Sequence, residues 1–315
     1  MVAQFYLDPL NQAFANTLAT KPGMENLSIP ELRDSLVQLN AHEELPGVKR
    51  TKIQVPVANG TETWIYTPVR TQGPRPYIFY VHGGGFVGGN ISVYDPIATD
   101  IVLRTGYSLI FPEYELAPEA QWPAQQEQCF GVLEWTVRNG ASQNLIPDKF
   151  AIMGDSAAGI LILNMNIMAR QKMLSVPYNV LLNPVANLDY SGKPTASRHE
   201  FWGGPYLTGE VMRRFAGAYI PAWVDRASEL VSLSKMSENT AQAIAPTLII
   251  TSSADILRDE AEELGEKLQK AGRDVAILRA HGQIHDSAVI EVTRSGPTPK
   301  MVMTLVTASL KQRLG

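Results

Sequence analysis

Apolar and polar positions change their rhythm several times along this chain. Residues 1 to about 45 carry no strand signal, and Pro30 opens a stretch in which Leu32, Leu36 and Leu39 recur at helical spacing, so this part is expected to be helical. From Lys49 the period drops to two. Thr51, Ile53 and Val55 alternate with polar residues, Asn59-Gly60 supplies a type I′ turn, and residues 63–67 run back, which predicts an antiparallel hairpin at a sheet edge. After the Pro/Gly-rich link Gly73-Pro74-Arg75-Pro76, unbroken apolar runs at 77–81, 107–111, 150–153, 180–182 and 247–251 read as strands buried on both faces, with 275–279 as another.

Helical patterns fill the gaps between these runs at 126–139, 157–173 and 259–271, the last ended by Gly272 as a left-handed cap. Strand–helix alternation of this kind predicts an α/β fold with a mostly parallel central sheet flanked by helices. One interval breaks the rhythm. Residues 187–243 are richer in turns and then place Thr208 as an N-cap before Val211, Met212, Phe215 and Tyr219, one helical face. This predicts a helical insertion lying over the active edge of the sheet. The organisation expected is therefore a helical part over 1–45, a core over 46–186 and 244–315, and the insertion over 187–243.

Composition narrows the partners. Hydrophobic residues make up 45% of the 315 and charged ones 18%, enough for one packed core. The net charge of −4 comes from scattered residues and makes no field for nucleic acid or an anionic membrane, so a small neutral molecule is the expected partner. No stretch approaches the ~20 apolar residues of a membrane-spanning helix. Residues 1–10 lack the basic and apolar regions of a secretory signal, which gives a cytoplasmic protein as the expectation and makes the Asn-x-Ser/Thr triplets at Asn26, Asn59 and Asn90 chance matches. The single cysteine, Cys129, excludes an internal disulfide and a cysteine-rich metal site, and it reads as an inert buried thiol.

Chemistry concentrates in three places. Residues 150–159, Phe-Ala-Ile-Met-Gly154-Asp155-Ser156-Ala157-Ala158-Gly159, run an apolar strand through a tight turn of small residues into a helix. A nucleophile elbow needs that context: the backbone bends sharply, the serine oxygen stands clear, and the next helix turns its free N–H groups toward a developing anion. A serine capping a helix after a strand is the plainer reading. Upstream, residues 77–81 lead into His82-Gly83-Gly84-Gly85-Phe86, where residues without side chains let backbone N–H groups approach a carbonyl closely; two of them and Ala157 would hold an oxyanion. Gly83-x-Gly85-x-x-Gly88 also spells a dinucleotide fingerprint, but Asp95-Pro96 predicts that the next helix begins several residues too late for it.

A serine hydroxyl needs a base, and the base needs an acid to orient it. Of the five histidines, His42 falls in the helical N-terminal part and His82 belongs to the glycine loop. Of His199, His281 and His285, His285 follows the last predicted strand, and Asp255 follows the strand at 247–251. Ser156, Asp255, His285 is then the chain order of an α/β hydrolase, with Asp259 and Asp286 as lesser candidates for the acid.

Together these motifs resemble the hormone-sensitive-lipase-like esterases of the α/β-hydrolase fold from about Pro76 to the C-terminus. His82-Gly-Gly-Gly-Phe86 looks like the family's oxyanion motif, Tyr114-Glu-Leu-Ala-Pro118-Glu119 its downstream marker, Gly154-Asp-Ser-Ala157 its nucleophile motif, and Asp255-Ile-Leu-Arg-Asp259-Glu260 and Ile284-His285 its acid and base segments. The resemblance implies Ser156 as nucleophile, His285 as base, Asp255 as acid, and Gly83, Gly84 and Ala157 as oxyanion donors. It also implies a cap built from the N-terminal helices and the 187–243 insertion, Phe86, Tyr94, Trp202 and Tyr206 near the pocket, and no metal or organic cofactor. The partner implied is a short- to medium-chain ester, without nucleic acid or membrane insertion, and with a second copy of the chain as a further candidate. The chain departs from the pattern twice: Ala158 stands where glycine is usual, and Asp286-Ser287 replaces the Gly-Phe that commonly follows the histidine. A lactonase, an amidase, an acyltransferase or a receptor that keeps the fold without the chemistry are the alternatives.

Overall fold

The computed structural model describes residues 5–58 and 60–315, so Asn59 of the expected hairpin turn lies outside the described residues. The strands are β1 (Val48–Val55), β2 (Thr61–Pro68), β3 (Arg75–Val81), β4 (Ser108–Pro112), β5 (Leu145–Asp155), β6 (Asn179–Leu182), β7 (Thr247–Ala254) and β8 (Val275–Ile284). They form one sheet in the order β1-β2-β4-β3-β5-β6-β7-β8. β1 and β2 are the expected edge hairpin; β2 meets β4 antiparallel, and every later pair is parallel.

The unbroken apolar runs are explained by cover on both faces. Along β3, Tyr77, Phe79 and Val81 enter one core while Ile78 and Tyr80 enter the other. The first core is closed by α4 (Ala124–Asn139), α5 (Ala158–Gln171) and α9 (Arg258–Lys270); the second is closed by α3 (Ile91–Thr105) and the last helix, Pro297–Leu314. α9 ends as expected before Gly272, whose φ is +75°.

One expectation fails. The helix after the glycine loop does not wait for Asp95-Pro96: it starts at Ile91, where Asn90 Oδ1 accepts from the Val93 amide at 3.1 Å, and Pro96 sits inside it. The cap residue decides the start, and the proline costs only one hydrogen bond further on.

Outside the sheet, α1 (Pro9–Leu18) and α2 (Ile29–Leu39) precede it, and α6 (Ala196–Glu200), α7 (Gly209–Tyr219) and α8 (Glu238–Ala241) fall within 187–243. Two buried polar ties fix these pieces. Asn11 of α1 accepts from the Ile284 amide and donates to Gln283, so the end of β8 is held just before His285. Glu260 of α9 accepts from the Ala186 and Asn187 amides and pairs with Arg198 of α6, with Glu260, Ala186 and Arg198 buried. The remaining helices are α10 (Glu291–Arg294) and α11 (Pro297–Leu314), and no helix among the described residues is long and apolar enough to cross a membrane.

Candidate active site

Ser156 stands at the hinge between β5 and α5 with φ +52°, in the left-handed region that a serine adopts at a cost of ~1–2 kcal/mol. Its amide donates to Leu182 O at 2.9 Å, and its carbonyl accepts from Gly159 and Val185, so the strained turn is pinned on both sides. Ala158, where glycine is usual, is fully buried; a Cβ on Gly154 would lie 2.7 Å from the Ala158 Cβ, so the bare Gly154 leaves the room that this methyl occupies.

Three side chains from different strand ends meet here. Ser156 Oγ lies 2.9 Å from His285 Nε2, and His285 Nδ1 lies 2.8 Å from Asp255 Oδ2. Asp255 is itself fixed: Oδ1 accepts from the Leu257 amide and Oδ2 from Asn183 Nδ2, both at 3.0 Å. All three are buried, with 2–5% exposure. Burial works against a charged imidazole at His285, but the Asp255 carboxylate at Nδ1 leads the opposing charges, and the pKa is pushed well above the usual 6.5.

The other candidates fall elsewhere. Asp259 is occupied by the Ser197 amide and Arg258. Asp286 does touch His285, but at Nε2, 3.2 Å away, on the side opposite the orienting carboxylate. His281 stacks on exposed Tyr6, His199 lines a separate cavity beside Tyr190, and His42 joins Asp95. His82 is stacked on Tyr114 with ring centroids 4.1 Å apart, and burial lowers its pKa to about 4, so it is neutral.

The glycine loop passes directly over the serine. A Cβ on Gly83 would come within 2.3 Å of Asp155 Oδ2 and 3.0 Å of Ser156 Cβ, and Gly84 has φ +87° with Gly88 O in the space of a side chain, so only glycine fits at either place. Among the described residues, none of the Gly83, Gly84 and Ala157 amides donates to a backbone acceptor. They are the three amides expected from the sequence.

A small pocket of about 50 Å³ opens beside Ser156 and is lined by Gly84, Tyr94, Tyr206, Phe215, His285 and Asp286 among others. Of the four aromatics expected near it, Tyr94 and Tyr206 are there and two are not. Phe86, at φ +67°, turns into the core and stacks on Tyr219 at 3.8 Å; the Trp202 ring packs against Gly209 and under Arg213. A larger cavity of about 720 Å³ lies between α1, α2 and residues 203–208, and Met24 and Tyr206 line both spaces. Tyr206, edge-on to Phe14 and 6.4 Å from the His285 ring, is the partition.

Several contacts at the site have no signal in the sequence. Asn183, at φ +44°, steadies Asp255 from the end of β6. Arg33 of α2 donates to Val87 O and Ala117 O and pairs with Glu119, joining the N-terminal helices to the glycine loop and to the segment around 114–119. Tyr114 braces the loop by donating to His82 O at 2.8 Å.

Comparison with known proteins agrees with the fold. A family model described as the alpha/beta hydrolase fold matches residues 78–289. An esterase of Gibberella moniliformis is 32% identical over 312 residues, 97% of each chain. The structure of an esterase of the fungus Rhizomucor miehei superposes with a TM-score of 0.91 at 29% identity, covering 98% of this chain and 97% of that one. A thermostable esterase of Pseudomonas putida shares the fold with a TM-score of 0.94 at 24% identity over 99% of both chains.

Proposed function

The chain belongs to the alpha/beta hydrolase family, and on that premise we propose that it is a carboxylic ester hydrolase working through an acyl-enzyme on Ser156. The observation that carries this reading is the continuous chain of contacts from Ser156 Oγ through His285 to Asp255 beneath three free amides. The esterases among its relatives support the substrate class.

In the reaction, Nε2 of neutral His285 takes the Ser156 proton as Oγ attacks the ester carbonyl. Asp255 keeps the other ring proton on Nδ1 and balances the charge that forms. The carbonyl oxygen, now anionic, accepts from the amides of Gly83, Gly84 and Ala157, each such donor contributing on the order of 10²–10³ in rate. When the tetrahedral species collapses, Nε2–H passes its proton to the alcohol oxygen as the C–O bond breaks. Water then enters, gives its proton to Nε2, and releases the acid and Ser156 by the same steps.

Because the imidazole pKa is raised, the base is lost to protonation at a higher pH than for a free histidine. The sign is fixed: kcat/KM should fall as pH drops through that pKa, and the midpoint of this acid limb should lie above 6.5. A pH–rate profile with p-nitrophenyl butyrate measures it, and a midpoint below 6 would contradict the arrangement of charges around His285.

The N-terminal helices and the 187–243 segment act as a cap, with the large cavity leading to the serine. The narrow pocket then favours short acyl chains, and Tyr206 sets the limit. In Tyr206→Ala the two spaces merge, and kcat/KM for hexanoate relative to acetate esters should rise by roughly fourfold for each methylene newly accommodated, the value of burying one CH₂. An unchanged chain-length profile would remove Tyr206 from the partition. The experiment that tests the function itself is a series of p-nitrophenyl esters of increasing acyl length, run on the wild type and on Ser156→Ala.

A further inference from the structure

Asp286 is one of the two departures from the family pattern, and its surroundings are unusual. Its φ is +54°, a region that glycine enters freely and aspartate only with strain, so the side chain is kept at some cost. Its Oδ2 lies 3.2 Å from His285 Nε2, the atom that also contacts Ser156. Its Oδ1 is buried with no conventional donor, and the side chain faces that of Asp155 at hydrogen-bonding range. Two carboxyl groups form a hydrogen bond only when one of them carries a proton. Asp155 already accepts from Tyr80 OH at 2.8 Å on Oδ1 and from Tyr94 OH at 2.9 Å on Oδ2, so it is the better placed to bear the negative charge. Burial and mutual repulsion raise both carboxyl pKa values.

We propose that Asp286 is a positioning residue for the base: its proton bonds Asp155, and its uncharged Oδ2 accepts Nε2–H from His285 once the ring has taken the Ser156 proton. The ring then has a second acceptor beside the serine oxygen and is held in place until the proton goes to the leaving alcohol. Atoms balance without any further reagent: the proton moves from Ser156 Oγ to Nε2 to the alcohol oxygen, and the one shared by Asp155 and Asp286 stays between them. The titratable groups around Asp286 are Asp155 of β5, Tyr80 of β3, Tyr94 of α3, Tyr206 of the 187–243 segment, Asp255 after β7 and His285 itself. The inference rests on Ser156 and His285 acting as nucleophile and base.

The test compares the wild type, Asp286→Asn and Asp286→Gly on ethyl butyrate and p-nitrophenyl butyrate. Glycine relieves the positive φ, so that variant keeps its fold, and asparagine copies the protonated acid by donating to Asp155 and presenting a carbonyl to Nε2. An ethoxide leaving group needs the proton; p-nitrophenolate does not. We expect Asp286→Gly to lose kcat by about tenfold on the ethyl ester, the value of one hydrogen bond to a charged group, and clearly less on the nitrophenyl ester, while Asp286→Asn restores both. Infrared difference spectra at pH 7 should show a protonated carboxyl that shifts in D₂O and is missing in Asp286→Asn. An unchanged ester ratio in Asp286→Gly, an Asp286→Asn variant as impaired as the glycine one, or no protonated carboxyl each overturns the proposal. Labelling by a fluorophosphonate separates the two readings: a wild type that does not label at Ser156 defeats the nucleophile assignment, whereas normal labelling with an unchanged ester ratio defeats Asp286 alone.

Discussion

Replacing Ser156 with alanine should reduce kcat on p-nitrophenyl butyrate by roughly 10⁶-fold while leaving the thermal unfolding midpoint almost unchanged. The loss is this large because nothing else near the carbonyl can attack it. Among the described residues Ser156 Oγ is the only hydroxyl in contact with Nε2, and without it water must do the work of an oxygen held beside the glycine amides. What should persist is a residual rate of about 10³–10⁴ over the uncatalysed reaction, from the oxyanion donors and binding. The fold should persist as well. The hydrogen bonds that hold the turn come from the backbone of residue 156, to Leu182, Gly159 and Val185, and alanine keeps them at the same positive φ. Turnover within tenfold of the wild type would remove Ser156 from the mechanism, and a lost unfolding transition would mean that the serine supports the elbow rather than the chemistry.

How much of this was legible in the sequence depends on the range over which each feature is determined. The strands at 77–81 and 247–251 are readable because both faces are buried, so the apolar signal is unbroken. The elbow is readable because its small residues are adjacent. By contrast, β5 begins at Leu145, five residues before its apolar run, because Leu145 pairs with Arg75 across a register shift while Asp148 and Lys149 remain polar and exposed. α11 buries Met303, Val306, Leu310 and Leu314 against the second core, yet Thr304, Thr307 and Ser309 dilute the pattern and its N-cap residue, Gly296, makes no side-chain bond. The bonds from Asn183 to Asp255 and from Arg33 to Val87 and Ala117 cross between segments far apart in the chain, and no local spacing announces them.

The two departures from the family pattern end differently for the same reason, the room around each. Ala158 is absorbed by the bare Gly154 facing it, so the extra methyl fills space and changes nothing in the contacts of Ser156. Asp286 has no such slack. It brings a polar group into a closed space already occupied by Asp155, Tyr80, Tyr94 and the base, and only a shared proton reconciles the two acids.

Replacing His285 with alanine should cost kcat about as much as losing the serine, roughly 10⁶-fold, because nucleophile and base act as one unit and their losses do not add. No other imidazole can step in. His281 is stacked on Tyr6 on the exposed side, His199 faces a different cavity, and His82 is neutral and fixed between Tyr114 and Phe111. KM should change little, since His285 contributes to proton transfer more than to holding the acyl chain. The double variant Ser156→Ala/His285→Ala should be no slower than either single one, which measures the coupling directly. Asp255 would then be left with its Leu257 and Asn183 donors but without the imidazole, so a modest loss of stability is expected alongside the catalytic one. A His285→Ala enzyme within tenfold of the wild type would require another group to take the Ser156 proton, and Asp286, the carboxyl group beside the Nε2 position, would be the first to replace.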